Sequence, residues 1–308
     1  MLVQVRTPIL ALLSALALVA GACASGDASG GEGAADAGEG ITIGAIPDQD
    51  PEQLQRLYGT LAGYLSEELG VPVTYQPVTD YNAAVNLFRS GDLDMVWFGG
   101  LTGVQARLQV DGAEAILQRG IDEEFHSVFI AHRDAGVEPF EDLAGLSSLA
   151  GKRFTFGSES STSGRLMPQY FLGEAGVTPE DFQGQPGFSG SHDATIELVE
   201  AGTFEAGVLN EQVWQARSGA GEVDADAVEV VFRTPGYHDY HWVVRPELVE
   251  RDGGDFVGQI QQAFTGLDSS DETQAQILEL FGADEFISTS NENYAQIEQI
   301  GRATGLIN

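Results

Sequence analysis

The chain has one cysteine and one lysine among its 308 residues, and basic residues are scarce throughout. A single cysteine, Cys23, excludes an intrachain disulfide, a cysteine-rich zinc site and Cys–His catalysis in the folded part. Lysine and arginine number 14 against 47 acidic residues, which gives a net charge of −33. Because phosphate backbones and anionic lipids are bound by clustered positive charge, we expect no nucleic-acid partner and no polybasic contact with a membrane.

Long apolar runs are also lacking, although hydrophobic residues make up 43% of the chain and can form a sizeable core. The apolar run at residues 9–20 is too short to span a bilayer as a helix. It follows Arg6 and leads into Ala20-Gly21-Ala22-Cys23. This arrangement resembles the signal peptide and lipobox of bacterial lipoproteins, with a plain secretory signal as the alternative. The resemblance implies removal of residues 1–22 and a diacylglycerol on Cys23.

Residues 23–40 contain glycine, alanine, serine and acids, and no large apolar side chain. Such a segment cannot bury surface, so we predict a flexible tether. The folded part would then begin at Ile41. We expect it to be held at the extracytoplasmic face of the cell membrane through the lipid anchor.

Strand and helix patterns alternate along the folded part, which indicates α/β units. The alternation breaks near residues 133–152 and 233–241. We therefore predict two lobes, with residues 41–133 in the first and 134–234 in the second. Residues 235–308 would return to the first lobe and end in helices. Ligands of such folds bind beyond the carboxyl ends of strands and between lobes.

A run of hydroxyl side chains marks the first candidate site, in FGSESSTSGRLMPQYFL at residues 156–172. Ser160, Ser161, Thr162 and Ser163 lie where a strand ends and a helix begins. Free N–H groups and the helix dipole favour an anion at such a position, and hydroxyls add donors. One hydroxyl would suit ordinary helix capping, whereas four in succession favour anion binding.

Three further segments contain candidate ligand contacts. PGFSGSHDATIELV at residues 186–199 brings His192 to the first turn of a helix, as an oxyanion donor or as a capping residue. DMVWFGGLTGVQARL at residues 94–108 combines Trp97 with a Gly99-Gly100 turn. TPGYHDYHWVV at residues 234–244 is a polar and aromatic cluster. Three of its side chains could alternatively ligate a metal: His238, Asp239 and His241.

Taken together, SESSTSGR, SGSHDATIELVEAG, FEAGVLN and YHDYHWVVRPEL, with the lipoprotein leader, resemble the phosphonate/phosphite-binding family of ABC-transporter substrate-binding lipoproteins. Within that family the chain looks closest to members described as selenate-binding proteins. The resemblance implies a two-lobed class II periplasmic-binding-protein fold, with two mixed sheets flanked by helices and a ligand cleft between the lobes.

The resemblance also implies ligand contacts. The Ser-Thr-Ser turn and the histidine of Ser-Gly-Ser-His-Asp would bind oxyanion oxygens, and aromatic residues would wall the cleft. Asn210 ends a strand where many relatives carry an acid, which disfavours an aminophosphonate. The full set of expected ligand contacts is Ser161, Thr162, Ser163, His192, Trp97, Gly99, Tyr237, Tyr240 and Asn210.

The implied function is capture of a small tetrahedral oxyanion and its delivery to an ABC permease with its ATPase subunits. We expect a monomer with no cofactor, no metal and no enzymatic activity. A selenate- or selenite-binding protein of the same transporter class, a ligand-sensing partner of a membrane receptor, and a hydrolase using a serine with His192 are alternatives. A ligand that carries a proton would need a carboxylate acceptor. The candidates are Asp48, Asp50, Asp80 and Asp239.

Overall fold

A computed structural model of the chain describes residues 40–307, without the side chain of Asp252. Cys23 and the predicted signal peptide and tether therefore lie outside the described residues. Among the residues that are described, no helix is both long enough and apolar enough to cross a membrane.

Strands and helices alternate along most of the described chain. The strands are β1 (Ile41–Ala45), β2 (Val73–Tyr75), β3 (Met95–Phe98), β4 (Glu114–Arg119), β5 (Ser127–His132), β6 (Phe154–Phe156), β7 (Gly187–Phe188), β8 (Ala206–Asn210), β9 (Val228–Arg233), β10 (His241–Val244) and β11 (Phe286–Ser288). The helices are α1 (Pro51–Leu69), α2 (Tyr81–Ser90), α3 (Gly100–Arg107), α4 (Met167–Glu174), α5 (His192–Glu200), α6 (Glu211–Gly219), α7 (Pro246–Glu250), α8 (Asp255–Thr265), α9 (Glu272–Phe281) and α10 (Ala295–Ala303).

Two mixed sheets form the centres of two lobes. The first sheet has the order β11-β4-β10-β3-β1-β2, and the second has the order β7-β6-β8-β5-β9. In the first sheet β1 lies parallel to β2 and β3, while β10 runs antiparallel to β3 and β4. In the second, β6 lies parallel to β7 and β8, while β5 runs antiparallel to β8 and β9. The fold is therefore the predicted two-lobed α/β architecture.

Helix α1 illustrates how local sequence produces these elements. The side chain of Asp50 accepts from the backbone N–H groups of Glu52 and Gln53, and Pro51 occupies the first helical position. The apolar side chains recur at helical spacing and face the core. They are Leu54, Leu57, Tyr58, Leu61, Ala62 and Leu65. The helix ends at Gly70, whose φ of 65° lies in the left-handed region.

Strand β5 differs from its predicted place. The sequence prediction put residues 126–133 in the first lobe, but Ser127–His132 pairs with β8 and β9 in the second sheet. The chain therefore enters the second lobe before β5. Its apolar pattern is equally suited to either sheet, so only the pairing distinguishes them. Phe125 and Tyr237 pair with each other where the two connecting segments run side by side.

Candidate functional site

The Ser-Thr-Ser segment forms a buried turn after β6. Ser161 caps the turn, because its Oγ accepts from the backbone N–H of Gly164 at 2.9 Å. Residues Thr162–Leu166 form a single π-helical turn that leads into α4. The Oγ of Ser163 is buried and has no hydrogen-bond partner in the protein. Since buried hydroxyls are nearly always hydrogen-bonded, this turn has unused capacity for a ligand.

The first lobe meets this turn through the start of α3. The backbone N–H of Leu101 donates to Thr162 Oγ1 at 2.9 Å, and that of Gly100 donates to Asp239 Oδ1 at 2.9 Å. A Cβ atom on Gly99 would lie 3.1 Å from Thr162 Oγ1 and 3.2 Å from Asp239 Oδ1. Glycine therefore allows the close approach of the two lobes here.

Asp239 is a buried carboxylate in contact with the Ser-Thr-Ser turn through Thr162. Its side chain is 1% exposed, and Oδ2 has no hydrogen-bond partner. Burial raises the pKa of Asp239 to about 7, against the lowering effect of the bonds from Gly100 and Thr162. Near neutral pH this group can therefore accept or donate a proton. The sequence analysis had included Asp239 as one of four alternative proton acceptors and as a possible metal ligand.

Tyr81 lies beside the Ser-Thr-Ser turn and was not predicted as a site residue. Its side chain is 2% exposed, and its hydroxyl lies beside Ser161 without a hydrogen-bond partner of good geometry. Tyr81 opens α2 directly after the capping residue Asp80, so the sequence drew attention to the cap instead. We use the name oxyanion pocket for five residues: Tyr81, Ser161, Thr162, Ser163 and Asp239.

A second group of polar side chains joins the lobes beside this pocket. The hydroxyl of Tyr240 donates to Asp48 Oδ2 at 2.7 Å and accepts from Asn210 Nδ2 at 3.1 Å. His192 Nε2 lies 3.3 Å from the same hydroxyl, and the His192 backbone N–H donates to the Asp48 carbonyl at 3.0 Å. We use the name bridge network for four residues: Asp48, His192, Asn210 and Tyr240.

Burial sets the charge of the bridge network. The pKa of His192 falls to about 3 because burial disfavours the cation, so the imidazole is neutral. Its Nδ1 accepts from the backbone N–H of Asn210 at 3.4 Å, which places the proton on Nε2 facing Tyr240. Burial also raises the pKa of Asp48 to about 6, against the bond from Tyr240.

A buried ion pair packs against Tyr240. Arg119 makes two bonds of 2.7 Å to the carboxylate of Asp122, and its guanidinium lies 5.1 Å from the Tyr240 ring centre. Its positive charge lowers the pKa values of Asp48 and Asp239. Arg119 therefore stabilises negative charge near the cleft, while three of its N–H groups are bonded to Asp122 and to the Phe281 carbonyl.

Trp97 and Tyr237 were expected to wall the cleft, and the structure places them against Tyr240 and Ser127 respectively. Trp97 stacks on Tyr240, with ring centres 5.8 Å apart and planes at 20°. The hydroxyl of Tyr237 lies 2.6 Å from Ser127 Oγ, which donates to the carbonyl of Ser163 at 2.7 Å. Tyr237 therefore lies behind the Ser-Thr-Ser turn, because its hydroxyl is engaged on that side.

The remaining candidate residues lie elsewhere. Asp50 and Asp80 are exposed caps of α1 and α2. Arg165 lies over the rings of Phe156 and Phe188, with its guanidinium carbon 4.4 Å and 4.7 Å from their centres. Arg165 therefore packs on aromatic rings of the second sheet and makes no hydrogen bond to the oxyanion pocket.

The two histidines considered as metal ligands lie against Tyr294. His241 Nδ1 lies 3.0 Å from the Asp239 carbonyl, and its ring stacks on Tyr294 at 3.7 Å. Burial lowers the pKa values of His238 and His241. Among the described residues, no group of three or more His, Cys, Asp or Glu side chains could hold a metal ion.

The fold and pocket can now be compared with known proteins. The chain is 46% identical over 263 residues to a Prochlorococcus marinus protein named "Probable ABC transporter phosphite binding protein PhnD1", covering 85% of this chain and 89% of the relative. It is 29% identical over 204 residues to the phosphate-import protein PhnD of Mycolicibacterium smegmatis, covering 62% and 61%.

A solved structure of PhnD1 from Prochlorococcus marinus, in complex with methylphosphonate, matches with a TM-score of 0.84 and 46% identity, covering 87% of this chain and 99% of that chain. A binding protein of an ABC phosphonate transporter from Pseudomonas aeruginosa, 19% identical with a TM-score of 0.73, shares the fold. The family profile for the ABC transporter, phosphonate, periplasmic substrate-binding protein matches residues 43–294. The chain therefore belongs to this family, and it is a periplasmic substrate-binding protein of an ABC importer.

Proposed function

We propose that the protein captures a small phosphorus oxyanion with a protonated oxygen, phosphite or methylphosphonate, and delivers it as a monomer and chemically unchanged to its permease. The observation that carries this proposal is the buried Asp239 carboxylate, whose Oδ2 is unpaired beside a turn of hydroxyl donors. The relatives named for phosphite binding and solved with methylphosphonate support the same ligand class.

A carboxylate in an anion site distinguishes protonated from unprotonated ligands. Phosphite and methylphosphonate monoanions carry a P–OH group that donates to Asp239, while their other oxygens accept from Ser161, Ser163 and Tyr81. Sulfate and selenate carry no proton at neutral pH and would meet the carboxylate with a lone pair. The pocket therefore favours phosphorus ligands over the selenate alternative.

Titration calorimetry of the parent protein with phosphite, methylphosphonate, phosphate, sulfate and selenate tests this proposal. We expect phosphite or methylphosphonate to bind most tightly. Asp239→Asn replaces the charged carboxylate with a neutral amide, so the ligand P–OH group loses a charged acceptor. This variant should bind about 10- to 100-fold more weakly. Phosphorus NMR of ligand recovered from the protein should show no conversion, and light scattering should give the monomer mass.

Asp80→Asn is the matched control, because it makes the same chemical change at an exposed helix cap where asparagine caps equally well. It should leave affinity unchanged. Tighter binding of selenate than of every phosphorus ligand would contradict the proposed ligand class.

We also propose that Cys23 bears the lipid that anchors the protein to the cell membrane. The lipobox-like sequence before it supports this, and Cys23 is the chain's one thiol. In cells fed a radiolabelled fatty acid, the parent should incorporate label and sediment with membranes. Cys23→Ala should do neither; membrane retention of that variant would contradict the anchor.

A further inference from the structure

A separate cavity adjoins the bridge network. It has a volume of about 120 Å³, and Asp48, Asn210 and Tyr240 form part of its lining. Trp97 and Arg119 line it as well. Of the described residues that make up the oxyanion pocket, none lines this cavity. We call this space the side cavity; Tyr240 lines it and also interacts electrostatically with Tyr81 and Asp239 of the oxyanion pocket, so the bridge network borders both.

The two groups of residues differ in their free hydrogen-bonding capacity. In the oxyanion pocket Tyr81 Oη, Ser163 Oγ and Asp239 Oδ2 are buried without partners. In the bridge network the Tyr240 hydroxyl uses both lone pairs and its proton, on Asn210, His192 and Asp48. The bridge network thus presents no unused donor or acceptor from that hydroxyl.

This difference orients a tetrahedral ligand. Its oxygens gain most from the unpaired groups of the oxyanion pocket, and a buried oxygen left without a partner is costly. The substituent that cannot hydrogen-bond, a hydrogen or a methyl group on phosphorus, therefore faces Tyr240. A phosphate ion would place a fourth oxygen there without a free partner.

We propose that Tyr240 is a size-limiting partition that excludes ligand substituents longer than methyl from the side cavity, and that Asp48 and Asn210 are the specificity-determining residues that hold it in place. This inference rests on the proposed function, because it concerns the substituent of the same phosphorus ligand. The side cavity is large enough for a short alkyl substituent on phosphorus. The length of substituent that the protein accepts would therefore be set by Tyr240 and not by the volume of the cavity.

The packing of Tyr240 supports a fixed partition. Its ring stacks on Trp97 at 5.8 Å, meets Phe125 edge-on at 5.5 Å, and lies under the Arg119 guanidinium at 5.1 Å. The side chain is 3% exposed. Displacing it would break ring contacts as well as the hydroxyl bonds, so a bulky substituent meets a rigid wall.

Calorimetric titration of the purified protein with phosphite, methylphosphonate and propylphosphonate tests the partition. In the parent, lengthening methyl to propyl should weaken binding by about 100-fold, in line with the cost of overpacking. Tyr240→Ala opens the partition and should reduce this ratio to less than about tenfold. Tyr240→Phe keeps the ring and should retain the parent's ratio, whatever its absolute affinity.

A parent that binds propylphosphonate within tenfold of methylphosphonate, or a Tyr240→Ala ratio equal to the parent's, would overturn the inference. If Tyr240→Ala does not fold, as judged by near-ultraviolet circular dichroism, Asp48→Ala is measured instead and should also lower the ratio. Failure of the parent to bind phosphite and methylphosphonate would contradict the proposed function, whereas normal binding with an unchanged ratio would contradict the partition alone.

Discussion

At the scale of single residues, buried hydroxyls also support the Ser-Thr-Ser turn from behind. Ser127 Oγ donates to the Ser163 carbonyl, so its lone pairs face Tyr237, whose hydroxyl must donate to it. This chain of two bonds fixes the peptide that carries the unpaired Ser163 hydroxyl. We therefore expect Tyr237 to position this turn, whereas the sequence analysis had indicated a wall of the cleft.

Tyr237→Phe should weaken phosphite or methylphosphonate binding by less than about tenfold, because one hydrogen bond in the supporting layer is lost while the ring remains. Tyr64→Phe is the matched control. It removes a hydroxyl that donates to the Ala263 carbonyl at 2.7 Å, between α1 and the C-terminal helices. Both variants should melt at slightly lower temperature, but only Tyr237→Phe should change calorimetric affinity. Equal affinity in both would exclude the positioning role.

The site could be predicted at some residues and not at others for definite reasons. Consecutive hydroxyls before a helix gave Ser161, Thr162 and Ser163, since that pattern has a local physical meaning. Whether these residues bind the ligand stays a proposal. Tyr81 carried no such signal, because a tyrosine in the first turn of a helix looks like any amphipathic core residue. Its place in the pocket depends on how α2 meets the other lobe.

At the scale of elements, α4 shows how a helix accommodates a proline that the sequence places near its start. Pro168 follows the hydroxyl run at which the sequence predicts a helix to begin, and an interior proline in that helix would remove a hydrogen bond. The structure divides this segment into a π-helical turn, Thr162–Leu166, and α4, which begins at Met167. Pro168 thus occupies a first helical turn, where its missing N–H costs little.

Strands β5 and β11 show what periodicity leaves open. The residues of β5 were predicted to lie in the first lobe, but β5 pairs within the second sheet, because alternation and apolarity do not identify the pairing partner. β11 spans only Phe286–Ser288 and lies in a stretch predicted to be helical. It pairs with β4 at the edge of the first sheet, so its conformation comes from a long-range contact.

At the scale of the whole molecule, a chain with a net charge of −33 places two buried carboxylates in the cleft where its lobes meet. Asp48 accepts from Tyr240, and Asp239 accepts from the backbone of Gly100. Because neutral donors and the Arg119 charge surround them, the negative charge of an ionised Asp239 is offset locally, and a ligand that brings its own proton meets an acceptor. Local protonation, and not overall charge, therefore governs the site.

Stability measured against pH should reveal the proton on Asp239. Its pKa is raised from 3.8 to about 7 by burial, so the folded protein binds a proton that the unfolded chain has lost. The stability contributed by the protonated group is fully present below pH 4 and is lost as pH rises towards 7. Asp239→Asn stays neutral throughout, so its free energy of unfolding relative to the ligand-free parent should rise across this window.

The rise should be on the order of 4 kcal/mol, from about three pKa units at about 1.4 kcal/mol each, and it should level off above pH 7. Urea denaturation of both proteins at pH 4, 5, 6, 7 and 8 measures it, and comparing the two removes the opposing effects of His192 and the other groups they share. Asp80→Asn, at an exposed cap, should show no such rise. A difference between parent and Asp239→Asn that does not change with pH would mean that the carboxyl is ionised throughout, and the acceptor for the ligand proton would then be permanently charged.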